Sequence, residues 1–248
     1  MNESDGSRAT YDITNFTLRE MSESGKIIRA MGSNSASMEE TAGRIVRYFY
    51  DGLVDAEGRR VSALVRFFKT HPFSDLDSKL QGFAQALLGS VTPSPDMKCL
   101  VLLATAGDKT EWNSRKKSQG HQAIPLPSKE SVQQAPMVSN LITQLGIPLG
   151  MVIRPEPELL LYMEQRTYNV FHVPEALGSP YIPAQQEFVV PFGIRSVLGF
   201  GGLFPSGEMF AVIMFLKVQI TKETADLFQT LALNVKLAVL PFDEAVFS

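Results

Sequence analysis

The sequence predicts a mixed α/β domain, and three observations carry that reading. Amphipathic helical stretches alternate with short apolar runs rich in Val, Leu and Phe. Two such runs in the last third flank Pro205-Ser206-Gly207, a hairpin turn signal. A long capped helix then closes the pattern.

In chain order, residues 1–12 read as a loose tail. Ile13 to Tyr50 is mainly helical, broken at Gly32-Ser33-Asn34-Ser35. Ser37 with Glu40 three residues on has the spacing of a capping box, and Met38, Ala42, Ile45, Val46 and Phe49 form one apolar stripe behind it. Val61–Phe68 reads as a strand ended by His71-Pro72. Ser74 is placed as the N-cap of a helix from Asp75 to about Leu88. Met97–Ala106 is a continuous apolar run, the pattern of a central strand covered on both faces.

Residues 107–122 are the most polar interior stretch and read as a long loop round the sheet edge. Ile124–Pro127 is extended, and Ser128–Gly146 is helical with a boundary at Pro136. Leu159–Met163 is ambiguous. Glu187–Phe192, Arg195–Phe204 and Glu208–Lys217 read as strands. Thr221 caps a helix to about Leu240, where Pro241 stops it. Gly199-Phe200-Gly201-Gly202 lies inside a strand, so a close backbone approach or a bulge fits it better than a phosphate loop.

Composition narrows the function classes. The chain has 248 residues, 44% hydrophobic and 20% charged, as in ordinary globular proteins. A formal net charge of −3 gives no electrostatic case for nucleic acid or an anionic membrane. Met1–Thr10 has no apolar targeting core, and no apolar run approaches the ~20 residues of a spanning helix. Cys99 is the single cysteine, so no intrachain disulfide can form and a reducing, cytoplasmic setting is expected.

Pro191-Phe192-Gly193-Ile194-Arg195-Ser196-Val197-Leu198 resembles the Ile-Arg-Ser lead into a strand of GAF domains. A glycine turn, the apolar strand Phe210–Leu216 and the closing helix Thr221–Val239 follow in the same order. More narrowly, Ala63–Pro72, Cys99–Asp108, Gly120–Ser128 and Asn169–Phe204 resemble a GAF-like sensory region found near the N-termini of bacterial histidine kinases and related signalling proteins. The resemblance covers roughly residues 38–242. It implies an α/β (α+β) fold with a central, mainly antiparallel six-stranded sheet and helices on its faces. The expected organisation is a tail and lead helix over 1–37 and a GAF-like sensory domain over 38–248.

The function implied is a non-enzymatic sensory or regulatory domain that binds a small ligand and signals through dimer helices. A kinase or cyclase would be its signalling partner. A small-molecule enzyme or a ligand-free scaffold on the same fold is the alternative. The Asn-Lys-x-Phe-Asp-Glu pattern of cyclic-nucleotide binders does not occur, and Cys99 opens an apolar strand rather than a pigment-bearing loop. One cysteine cannot run the disulfide cycle of GAF-fold sulfoxide reductases. No cofactor is named by the sequence.

Five residues are the expected ligand contacts. Trp112, Arg115 and His121 lie in or beside the long loop, where an indole, a guanidinium and an imidazole could hold an anionic or planar molecule. The stretch from Phe171 to Tyr181, with His172 and Tyr181, is expected to close the other side. The plainer alternatives are a solvated loop for His121 and a hydrogen-bonded structural role for His172, which haem ligation would otherwise employ. The apolar residues of the closing helix occupy more than one face, so either the lead helix of the same chain or a second copy must cover the outer one.

Overall fold

The computed structural model describes residues 9–118, 120–156, 158, 160 and 169–247. Its centre is a six-stranded sheet in the order β5-β4-β3-β8-β7-β6, antiparallel at every junction. The strands are β3 (Ser62–Pro72), β4 (Lys98–Gly107), β5 (Ala123–Leu126), β6 (Asn169–Val173), β7 (Ser196–Leu203) and β8 (Met209–Leu216). The hairpin β7–β8 pairs Ser196 with Leu216 through to Leu203 with Met209, as the turn signal predicts.

Each face of the sheet has its own core. On one, Val65, Phe67, Val101, Phe200, Val212 and Met214 pack under α2 (Met38–Gly52) and α7 (Lys222–Val239). Phe49 of α2 and Phe228 of α7 meet Phe200 at 5.5 and 5.9 Å between ring centroids. On the other face, Leu64, Phe68, Leu102, Val197, Ile213 and Phe215 pack under the short helices α4 (Lys129–Gln133), α5 (Pro136–Gln144) and α6 (Leu149–Ile153). Burial on both faces explains why β4 and β8 are continuous apolar runs.

Two of the predicted helix caps form. Ser37 accepts the Glu40 amide and Thr221 that of Thr224. The lead helix α1 (Leu18–Ala30) lies against α7 rather than on the sheet. Gly32, just past α1, permits this approach, because a Cβ there would stand 2.3 Å from the Ala238 carbonyl oxygen. The same-chain cover is therefore real along that stripe of α7. Leu233 and Leu237 remain 42% and 46% exposed. The span 222–242 is long and apolar enough to cross a membrane by length and composition, and 44% of its 18-residue apolar window is buried inside the protein.

Five local readings are corrected. Tyr11–Asp12 (β1) is not loose tail: it pairs in parallel with Leu53–Val54 (β2), and Tyr11, Ile13 and Phe16 enter the helix-side core. β3 runs on past Phe68 to Pro72. Proline is tolerated there because β8 begins pairing at Lys69–Phe210, so Pro72 faces a ladder partner only on β4. The next helix, α3 (Ser78–Leu88), is capped by Asp77, which accepts the Leu80 amide at 2.8 Å. Ser74 instead hydrogen-bonds Asp75 inside a preceding turn.

Glu187–Phe192 is not a strand; Gln185–Val189 is a π-helical turn. The Gln185 amide group holds it by donating to the Ala176 and Ile182 carbonyls and accepting from the Gly178 amide. Phe188 and Phe192, four apart, then share one side of the turn. Within the long loop, Thr110–Asn113 and Arg115–Lys117 are single 3-10 turns. The ambiguous stretch Leu159–Met163 and residues 1–8 of the tail lie outside the described residues, apart from buried Leu160.

Candidate functional site

The loop 108–122 runs along the free edge of β4, because β5 pairs only with Lys98–Val101. Its anchors lie on both sides of the sheet. On the side of α4–α6, Trp112 packs against Phe192 at 4.6 Å and edge-on to Phe188 at 5.6 Å, and Phe188 meets Phe215 of β8 at 4.9 Å. Lys109 Nζ stands 5.4 Å from the indole and 5.1 Å from the Phe192 ring.

Arg115 is on the helix side. Its Nε and Nη2 donate to the two carboxylate oxygens of Glu39 at 2.6 and 2.7 Å, a bidentate pair with only 9% of the arginine side chain exposed. Its guanidinium also covers the Phe247 ring at 5.1 Å. Asn113 adds a second tie to α2 by accepting from Arg47 Nη1 at 2.9 Å. One loop thus grips the aromatic cluster of one face and the first turn of α2 on the other.

His121 ends the loop with φ of 55°, directly after Gly120 at 66°. A non-glycine residue in this region is strained, and such positions concentrate where the surroundings over-determine the backbone. Partial burial, and then the charge of nearby Arg66, hold its imidazole below the ordinary histidine range.

Arg66 is the residue that sequence reasoning missed. It lies in mid-β3 between Val65 and Phe67, on the same face as Leu64 and Phe68. Its Nη2 reaches Ser118 Oγ at a long 3.4 Å, and its Nε is sealed from solvent with no acceptor among the described residues. Burial pushes its pKa down to about 10, with no carboxylate acting against that shift. Its signal was in view: one arginine inside the run Leu64-Val65-Arg66-Phe67-Phe68, apolar on both sides of it.

His172 and Tyr181 are brought together with each other but not with the loop. They line a cavity of about 320 Å³ with Glu175 and Leu177 at the β6 edge. β6 is four strands from β4, about 19 Å at the usual strand spacing. The stretch from Phe171 to Tyr181 therefore does not close the far side of the loop's recess. The His172 amide donates to Gln144 Oε1 at 2.8 Å, while its Nε2 has no partner among the described residues. Burial chiefly, and then Lys222, lower its pKa against the pull of the Ile220 carbonyl and Asp226. Cys99 is fully buried, and desolvation pushes its thiol up to about 12.

No family model matches the chain, and no curated protein matches it. Among solved structures it is similar to a free methionine-R-sulfoxide reductase from Neisseria meningitidis, with 12% identity and a TM-score of 0.47 over 96% of this chain and 97% of that one. It is also similar to the phycocyanobilin-bound GAF domain of a cyanobacterial phytochrome, with 10% identity and a TM-score of 0.40 over 92% and 95% of the two chains. A third is the chromophore-binding domain of a bacteriophytochrome from R. palustris, with 10% identity and a TM-score of 0.39 over 92% and 63%. In its own sheet order and flanking helices the protein has the six-stranded antiparallel α/β architecture that the resemblance implies.

Proposed function

We propose that this protein is a sensory or regulatory domain that binds a small molecule on the sheet face beside the loop 108–122 and passes the event to the helix layer. The observation that supports the reading is the double anchorage of that loop. Trp112 and His121 stand on the ligand side, and Arg115 and Asn113 hold α2 on the other. A ligand that prefers one position of the loop biases the position of α2 by the same free energy. The inert Cys99 thiol speaks against thiol redox chemistry here.

The reading extends to a homodimer. Leu233 and Leu237, four apart on α7, form an exposed apolar stripe beside the α1 contact. Signals entering through α2 would reach a partner copy through α7, which packs on the same sheet face.

The test is a small-metabolite library screened by thermal shift, followed by hydrogen exchange on the strongest hit. Binding is expected to slow exchange in the loop and in α2. Trp112→Ala should weaken the hit about tenfold or more while the fold survives. Arg115→Ala should keep binding and lose the change in α2. A saturating hit that alters the loop and leaves α2 exchange unchanged in the wild type sinks the reading.

A further inference from the structure

We propose that Arg66 and Thr105 form an oxyanion subsite on the sheet face, built to take the carboxylate or phosphate group of a small molecule. The residues are direct cross-strand partners in the β3–β4 ladder, so their side chains leave the sheet side by side on the same face. Thr105 is 6% exposed, and its Oγ1 is buried without a hydrogen-bond partner among the described residues. Arg66 Nε is in the same condition. Two neighbouring donor atoms, Arg66 Nε and Thr105 Oγ1, are therefore sealed from water with no acceptor among the described residues, while the rest of the half-buried guanidinium reaches Ser118 Oγ. Native interiors rarely tolerate one such group, and a guanidinium is the most expensive kind.

Other arginines among the described residues show how this protein usually treats the group. Arg44 donates to Glu40 and to the Met31 and Asn34 carbonyls, Arg115 to Glu39, and Arg60 to the Tyr50 hydroxyl. Buried Lys69 and Lys98 have Asp243 and Glu208. Arg60 has the Tyr50 hydroxyl and Arg66 the Ser118 hydroxyl at a long 3.4 Å, but of these arginines it is Arg66 whose Nε is buried with no acceptor among the described residues. A guanidinium offers a planar fork that matches a carboxylate or phosphate edge, and a threonine hydroxyl adds a third donor. Ser118 Oγ reaches the fork, the arginine's charge is felt at His121, and apolar Leu64, Phe68 and Ile213 belong to the core of the same face. An arriving oxyanion would satisfy both orphan donors and offset the buried charge in one step.

The subsite lies on the ligand face of the proposed sensory domain and rests on that reading for its biological role, though not for its chemistry. Trp112 is the only tryptophan and packs near Leu64, two residues along β3 from Arg66 and so about 7 Å away along the strand. Its emission therefore reports this face alone.

The experiment titrates the full chain with sodium phosphate and with sodium acetate, sodium chloride keeping the ionic strength constant, while Trp112 emission and Tm are followed. A saturable emission change at millimolar oxyanion, with a rise in Tm, is expected for the wild type. Arg66→Met should weaken the response at least tenfold and, in the absence of oxyanion, raise Tm, because it removes an unpaired buried charge. Thr105→Val, nearly isosteric, should weaken it several-fold with the fold intact. It carries the test should Arg66→Met misfold. Lys222→Ala, on α7, should change nothing. Wild-type titrations that superpose on chloride, or full affinity retained in Arg66→Met and Thr105→Val, overturn the proposal. A neutral library hit that shifts Trp112 while both oxyanions fail also overturns it and leaves the sensory reading standing. Oxyanion binding without any change in α2 exchange does the reverse.

Discussion

His71 shows what the helix-side face asks of a single side chain. It is 4% exposed, lies 5.3 Å from the Phe247 ring, and has Lys69 and Lys98 as charged neighbours, with Asp243 paired to Lys69 at 3.1 Å. Burial first, then the two lysines, depress its pKa from 6.5 to about 2. The native state holds His71 neutral while the unfolded chain protonates it below 6.5, so the unfolded state binds the extra proton. Its contribution is therefore fully present above pH 6.5 and is lost progressively as pH falls from 6.5 towards about 2. His71→Leu should flatten that acid limb of stability in urea titrations run across the same range. An acid limb unchanged by the substitution would assign the loss to other groups. Arg66 is the companion case on the opposite face, a half-buried charge with no carboxylate acting on it. Its role was hidden in the sequence because it depends on Thr105, a partner fixed only by the β3–β4 register.

At the scale of elements, legibility followed locality. The β7–β8 hairpin and α7 were readable because turn, apolar run and cap lie within a few residues of one another. The turn at Gln185–Val189 was not, because its apolar residues fit a short strand until Gln185 is seen bonding Ala176 and Ile182. Of the two readings of the glycine run in β7, a bulge or a close backbone approach, the structure has the close approach. A Cβ on Gly201 would stand 2.1 Å from the Phe210 carbonyl oxygen on β8. Gly201→Ala should therefore cost about 2–3 kcal/mol by forcing the two strands apart. Chemical denaturation measures it, and a loss under about 0.5 kcal/mol, the scale of a neutral surface change, would refute the close approach. For α7, the exposed stripe gives its own test. Leu237→Glu should leave a folded protein, since the residue is 46% exposed, and should shift a dimer to a monomer in light scattering. A wild type that is strictly monomeric at micromolar concentration removes the dimer from the reading.

Across the whole molecule, the five expected contacts divide between two edges of one sheet, Trp112 and His121 at β4, His172 and Tyr181 at β6, with Arg115 turned to the helices. No one-dimensional pattern reports strand order, so the separation could be read only from the fold. That order has a further consequence. β3, β4 and β5 all end by Leu126 and β6, β7 and β8 all begin at or after Asn169, and within the sheet the two sets touch only along β3–β8. Each set is a meander or hairpin of mostly local pairs, whereas the junction joins residues such as Arg66 and Ile213. Closing it is the slow entropic step, so refolding should show two early sub-sheets and one late docking event. A backbone cleaved between Leu126 and Asn169 would leave both sets whole, and the two polypeptides should recombine on mixing into a working pair, the raw material of a split-protein complementation system.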